Sequence, residues 1–351
     1  MNRYIPKKID EMKEYIPDTS CPAIKLDANE SPFDTPAEVL KAITEAVSYE
    51  SINRYPDPDM KELLASYGRY VGVPADRLVA GDGSDELISL IINTFLADGG
   101  KILLCEPDFS MYAFYADFAG CEIVRYKKKD GIDIDLDEMK ALIEKENVRL
   151  VLFSNPCNPT GEIVEADAIM KLVDGTEALF VVDEAYMEFA PIDQSVIAYT
   201  ESRDNLIVLK TVSKMGLAGL RCGFAISNRE LITALKKTKS PYNLNSVTQK
   251  AVAVAMDNYA RIGVNVAKIK YVAALLYEEL VELEDDLGFE IRKSNANFVY
   301  LRFVSDGAAK EIHSFLKEKG ISVRLMGNNL RITAGTKDEA IALNTALCNY
   351  R

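Results

Sequence analysis

The sequence predicts an α/β protein: a large unit built on a mostly parallel sheet sandwiched by helices, followed by a small α+β unit. Three observations predict this. Short apolar runs alternate with longer amphipathic ones through the middle of the chain, residues 246–286 read as helical with few breakers, and short strand-like and helix-like stretches alternate again to the end.

KILLCEP, CEIVRY, VRLVLFSNP, ALFVVDEAY, NLIVLKTVS and RCGFAIS read as strands, several of them apolar on both faces, as a covered parallel sheet requires. DELISLIINTFLADGG, DLDEMKALIEKEN and EADAIMKLVDGTE lie between them with helical spacing. Towards the end, NANFVYLRFV, ISVRLM and NLRITAG read as strands, and AAKEIHSFLKEKG and KDEAIALNTALCNY as helices. No internal repeat and no Gly/Ser-rich linker divides the chain, so domain boundaries fall inside helices or short loops. The division expected is an N-terminal segment, 1–44, packing with the small unit, a large domain at 45–245 and a small C-terminal domain at 246–351.

With 48% apolar and 27% charged residues the 351-residue chain can bury a large core, yet no stretch approaches the roughly 18 uninterrupted apolar residues of a membrane span. A formal charge of −13 argues against nonspecific binding to nucleic acid or to an anionic membrane, so an anionic ligand must be held by local donors. The opening residues MNRYIPKKIDEMKEY are charged throughout and lack the apolar run of a signal peptide, which points to the cytoplasm. Six scattered cysteines without ligand spacing read as reduced structural thiols, and no metal is expected. The single histidine, His313, sits among lysines and glutamates on a helix-like stretch, which removes most support for serine or cysteine triads. Lysine, carboxylates, tyrosine or a cofactor must supply the chemistry.

Ligands of open α/β sheets gather at the carboxyl ends of the strands, and four such places stand out. In ALFVVDEAY, Asp183 ends a strand buried on both faces and needs a cation or donors; a protonated pyridine nitrogen would serve, and so would a structural ion pair or a helix cap. In LIVLKTVSKMGLAGLRCGF, Ser213 and Lys214 enter a Gly/Ala-rich turn where a partly desolvated amine can attack an aldehyde, while Arg221 offers a fork that fits phosphate. A surface lysine would give the same local pattern. In VAGDGSDELISLI, Gly81, Gly83, Ser84 and Asp85 open a helix whose amides and dipole could hold a phosphate, or are an ordinary cap. In VLFSNPCNPTGEIV, Asn155, Asn158 and two prolines make a tight turn with an amide available to a ligand oxygen, as a purely structural turn also would.

The order and spacing of these segments, S-N-P-C-N-P-T-G, then V-V-D-E-A-Y, then S-K-x-G-L-A-G-L-R, resemble fold-type I aminotransferases, most closely the histidinol-phosphate aminotransferase branch. The resemblance runs from about Leu26 to Gly335 and includes the family's D-x-N-E-x-P motif at Asp27, Asn29, Glu30 and Pro32 and its N-R-Y-P motif at residues 53–56. It implies the aspartate-aminotransferase fold, pyridoxal 5′-phosphate (PLP) as cofactor, small amino and keto acids as substrates, and a homodimer in which Tyr55 reaches the neighbouring subunit's site. It further implies that Gly83, Ser84 and Asp85 cradle the cofactor phosphate with Ser213 and Arg221. Phe109 would stack on the ring where the family often has tyrosine, Asn158 and Tyr186 would bond its O3′, and Asp183 its nitrogen. Lys214 is then the Schiff-base lysine, Arg331 clamps the substrate carboxylate, and Tyr15, Asn29 and Tyr55 lie near the substrate. Catalysis would rest on Lys214, Asp183 and Tyr186. The reaction implied is transfer between histidinol phosphate and 2-oxoglutarate. The alternatives are a threonine-phosphate decarboxylase of the same lineage, another amino acid or aromatic aminotransferase, or, in a different class, a noncatalytic PLP-binding regulatory protein.

Overall fold

The structure, a computed structural model, describes residues 3–12 and 22–350. Among the described residues twelve strands form two sheets. The larger contains β2 (Leu78–Asp82), β3 (Lys101–Glu106), β4 (Glu122–Lys127), β5 (Val148–Ser154), β6 (Leu179–Asp183), β7 (Leu206–Thr211) and β8 (Cys222–Ile226), in the order β2-β8-β7-β6-β5-β3-β4. Every pairing is parallel except those of β8, which runs antiparallel to both β7 and β2. The smaller sheet joins β1 (Ile24–Leu26), β9 (Phe289–Ile291), β10 (Phe298–Phe303), β11 (Ile321–Met326) and β12 (Asn329–Thr333) in the order β1-β11-β12-β10-β9. The segment before the large sheet thus contributes β1, parallel to β11.

The described residues also form thirteen α-helices: α1 (Lys7–Glu11), α2 (Ala37–Ser48), α3 (Lys61–Val71), α4 (Gly83–Phe95), α5 (Met111–Phe118), α6 (Leu136–Glu146), α7 (Ala166–Asp174), α8 (Arg229–Thr238), α9 (Ser246–Asp257), α10 (Tyr259–Val281), α11 (Glu284–Leu287), α12 (Ala308–Glu318) and α13 (Lys337–Cys348). Four of them, α6, α8, α9 and α13, start at side-chain caps. Asn228 and Asn245 accept the amides of Leu231 and Thr248, and Thr336 with Glu339 forms a reciprocal capping box.

Strand alternation divides the core between the two faces of the large sheet. Leu150, Leu152, Val181, Ile207 and Leu209 pack with Leu87, Ile88 and Ile91 of α4 and Ile232 and Leu235 of α8. Val151, Phe153, Phe180, Val182, Leu206 and Val208 face the other way, into a core that continues through α3, α9 and α10 to the small sheet. Because residues 181 and 183 share a side of β6, the strand's last residue, Asp183, emerges on the α4 and α5 side. Among the described residues no helix is long and apolar enough to cross a membrane, the five cysteines are unpaired with one another, and no acidic, histidine and cysteine group has metal-site geometry. His313 lies half-buried on α12.

Candidate active site

The carboxyl ends of β5, β6 and β7 and the start of α4 surround one cavity, at the place where parallel-sheet proteins bind ligands. Asp183 forms its floor. The side chain is buried, and its Oδ2 accepts the Tyr112 hydroxyl at 2.7 Å while Oδ1 accepts the Ala185 amide at 3.1 Å. Burial pushes the carboxyl up to about 6, against the pull of those two donors. The Tyr112 phenol is itself held well above its ordinary value, first by burial and then by Asp183, so it stays protonated and donates.

Lys214 lines the same cavity from the short turn after β7, its Nζ 5.8 Å from the centre of the Tyr186 ring. Beneath it, Thr211 donates to the Ser213 hydroxyl at 2.9 Å and accepts the Ser213 amide at 3.2 Å, which fixes Ser213 at the cavity wall. Arg221 adopts a left-handed backbone, φ 48°, between the turn and β8, and its Nη2 lies 3.2 Å from Asp85 Oδ2 in the first turn of α4. Two glycines permit that approach. A Cβ on Gly83, φ +74°, would lie 2.7 Å from Arg221 Nη2, and one on Gly223 would lie 2.6 Å from the Ser84 amide nitrogen. Ser84, Asp85 and Arg221 all line the cavity.

Phe109 forms another wall, edge-on to Tyr112 at 5.4 Å between ring centres. Opposite, the Tyr186 hydroxyl accepts from Asn29 Nδ2 at 3.0 Å and from Asn158 Nδ2 at 3.4 Å, which leaves its own proton to be donated into the cavity. Asn158 is anchored through its amide to the Ser154 hydroxyl at 2.9 Å and through Oδ1 to Arg331 Nη1 at 2.6 Å. The other arm of the Arg331 fork donates to the Asp27 carbonyl at 2.7 Å.

The cavity opens into a second one of about 500 Å³, which shares Asp85, Phe109, Asn158, Tyr186 and Lys214 and is closed on its far side by β1, β11 and β12. Arg331 and Asn29 line it, although the Asn29 side chain is committed to Tyr186 and to Thr333, whose hydroxyl donates to Asn29 Oδ1 at 3.0 Å. Arg324 lies directly across the β11–β12 pairing from Arg331 and lines the same space.

Of the expected site residues, Gly83, Ser84, Asp85, Phe109, Asn158, Asp183, Tyr186, Ser213, Lys214, Arg221, Asn29 and Arg331 lie in or beside these two joined cavities. Tyr55 does not; it stands 81% exposed elsewhere, stacked on Tyr242 with ring centres 4.6 Å apart. Tyr15 falls outside the described residues. Tyr112, Thr211 and Arg324 were missed. Arg324 could have been found, because two arginines flanking one tight turn in alternating strands fall opposite each other in a hairpin. Tyr112 carried no signal, since an aromatic on an apolar helix reads as core.

A family model for aminotransferase class I and II matches residues 22–344. The histidinol-phosphate aminotransferase of Caldanaerobacter subterraneus subsp. tengcongensis is 35% identical over 92% of this chain and 92% of its own, and that of Clostridium novyi 36% identical over 91% and 89%. Among solved structures, histidinol-phosphate aminotransferase from Sinorhizobium meliloti in complex with pyridoxal-5′-phosphate superposes with a TM-score of 0.88 at 25% identity, covering 99% of this chain and 97% of that one. The chain therefore belongs to the class I and II aminotransferases, and its two-sheet architecture is theirs.

Proposed function

We propose that this aminotransferase uses PLP to move an amino group between histidinol phosphate and 2-oxoglutarate. The observation that carries the cofactor reading is the placement of Asp183 and Lys214 in one cavity whose third corner is an anion cradle. The residues fit the group on a test independent of resemblance: Asp183 is a buried carboxylate met only by neutral donors, and burial has raised it to about 6. A pyridinium is the cation that site lacks. The first-turn amides of α4, with Ser213 and Arg221, suit the phosphate, and Arg221 would exchange its half-exposed pairing with Asp85 for it.

When bound, PLP supplies an aldehyde that bonds an amine and a ring that accepts electron density from the carbon being deprotonated. Lys214 Nζ would hold the cofactor through its aldehyde carbon and, as a free amine, would carry a proton between the substrate α-carbon and that carbon. Asp183 would hold the ring-nitrogen proton, and Tyr112 and Ala185 keep Asp183 oriented. Tyr186 and Asn158 would bond the ring oxygen O3′, and Phe109 would shield the ring from water. Arg331 orients the substrate's anionic group. Histidinol phosphate carries a phosphate ester where an amino acid carries its carboxylate, and the neighbouring Arg324 gives that dianion a second guanidinium. The relatives named above are supporting evidence for that substrate. The chain is also read as a homodimer: Tyr49, Ile52 and Tyr55 are strongly exposed and Tyr55 stacks on Tyr242, apolar surface that a second copy would cover while taking Tyr55 into its site.

The test is spectroscopic and kinetic. Purified protein reconstituted with PLP should absorb in the visible or near-ultraviolet through a borohydride-reducible link that Lys214→Ala abolishes; a link surviving in that variant refutes the choice of lysine. Histidinol phosphate should exceed other amino donors to 2-oxoglutarate in kcat/KM, and carbon dioxide released from threonine phosphate in preference to amino transfer would overturn the substrate reading.

A further inference from the structure

One buried ion pair lies behind the cavity and is used by none of the roles above. Asp108, in the loop between β3 and α5, and Lys128, just after β4, approach to 3.8 Å with side chains 2% and 1% exposed. Asp108 is a hub for both walls of the cavity. Its Oδ1 accepts the Phe109 amide at 2.8 Å and also the Ser154 hydroxyl, and its Oδ2 accepts the Ser154 amide at 3.2 Å. The Ser154 hydroxyl in turn accepts the Asn158 amide at 2.9 Å. One carboxylate thus fixes the backbone of Phe109 on one side and, through Ser154, that of Asn158 on the other.

Three donors converge on Asp108, an arrangement that suits the acceptor-only, ionised carboxylate. Burial raises its carboxyl, and the Lys128 ammonium opposes that rise. Lys128 also donates to Cys157 Sγ at 2.9 Å, and Cys105, Glu162 and Tyr112 are further ionisable groups around the pair. Asp108 also acts through space on Asp183, whose carboxyl it pushes upward. An Asp108 charge left uncompensated would therefore act against the group that must stay ionised under the ring.

We propose that Asp108 and Lys128 form a positioning pair that sets the two walls between which the PLP ring lies, an inference that rests on the cofactor reading above. Lys128 keeps Asp108 ionised, and Asp108 holds Phe109 and Asn158 at their working separation. Neither residue lines the two joined cavities.

The experiment compares wild type with Asp108→Asn, Lys128→Met, Lys128→Arg and the double variant Asp108→Asn/Lys128→Met. Each is stripped of PLP, and PLP is titrated back by absorbance; the pH midpoint of the bound cofactor's visible band and the thermal midpoint are also recorded. Asp108→Asn and Lys128→Met should each weaken PLP binding about tenfold or more, as loss of a charge-assisted bond implies. They should move the pH midpoint in opposite directions, down for Asp108→Asn, which leaves a buried cation, and up for Lys128→Met, which leaves a buried anion. The double variant should return the midpoint to near wild type while binding stays weak, and Lys128→Arg should restore both. The double variant has no unpaired buried charge, so it keeps the test available should a single variant fail to fold. Wild-type PLP affinity and pH midpoint in the double variant and in every folded single variant would overturn the proposal, whatever happens to the thermal midpoint. Wild-type protein that takes up no PLP would overturn the cofactor reading as well.

Discussion

Replacing Asp183 by asparagine is expected to stabilise the cofactor-free protein at neutral pH while weakening its hold on PLP. The carboxyl sits at about 6 in the folded chain against an ordinary 3.8, and the cause is burial. A separation of about two units corresponds to roughly 3 kcal/mol of preference for the protonated form. Since the folded value lies above the unfolded one, the folded state is favoured by protonation at low pH. It loses that roughly 3 kcal/mol progressively as pH climbs from about 4 to about 6, and loses nothing further above that. Asparagine carries no charge to bury. Urea unfolding of the cofactor-free proteins should therefore find Asp183→Asn more stable than wild type by about 1–3 kcal/mol at pH 7, with the advantage gone at pH 4. Glu184, raised to about 7 by burial on the opposite face of the sheet, slopes in the same direction in both proteins, so the difference between them isolates residue 183. In wild type the ring cation relieves the penalty on binding, and the variant forgoes that relief. Its PLP dissociation constant should rise by about a hundredfold, the equivalent of the same roughly 3 kcal/mol. A variant no more stable than wild type at pH 7, or one that binds PLP as tightly, would refute the reasoning.

Tyr112→Phe removes a donor to the Asp183 carboxylate at 2.7 Å; PLP affinity measured by titration should fall about tenfold, and by a larger factor at pH 6 than at pH 8. Arg331→Lys loses the planar fork and should raise KM for both amino donor and 2-oxoglutarate by about tenfold or more in steady-state assays, with a smaller loss of PLP affinity through its bond to Asn158. Arg324→Gln should raise KM for histidinol phosphate more than for glutamate, because a dianionic phosphate gains more from a second cation than a carboxylate does; equal effects on both substrates would remove Arg324 from phosphate recognition. If Tyr55 acts across a subunit boundary, Tyr55→Ala and Lys214→Ala chains, each inactive alone, should regain about a quarter of wild-type activity when unfolded and refolded together, since half of the dimers would be mixed and each of those would hold one intact site.

The sequence made the fold legible where local and global demands agree. The six central apolar runs became β3 to β8 with boundaries within three residues, because a strand covered on both faces must be apolar throughout and end at its first committed polar residue. It also exposed those site residues that are anomalies of that pattern, a carboxylate closing a buried run at Asp183 and a lysine entering a small-residue turn at Lys214. β2 was less visible, since LVAGD read as the approach to a glycine-rich helix start and not as an edge strand pairing with β8. β1 and β9 span three residues each and owe their existence to the long-range partners β11 and β10, so periodicity had nothing to register.

What stayed hidden is the support beneath the site, for a physical reason. Asp183 is held by Tyr112 from a helix 71 positions earlier in sequence, and Asn29 reaches across 157 positions to Tyr186 and 304 to Thr333. Their value lies in a distance of about 3 Å that no local spacing encodes. Asn29 shows how much such a distance can demand, for its buried backbone is left-handed, φ 55°, and its side chain is spent entirely inside the protein. A left-handed asparagine is strained unless its surroundings over-determine it. The bonds to Tyr186, to the Thr333 hydroxyl and from Asn297 to its carbonyl do so, tying the segment between β1 and α2 to both sheets at once. Asp183 and Lys214, which line the cavity, stood out against their neighbours in sequence, whereas Tyr112, Asn29 and Thr333, which hold its walls, are recognised only from their neighbours in space.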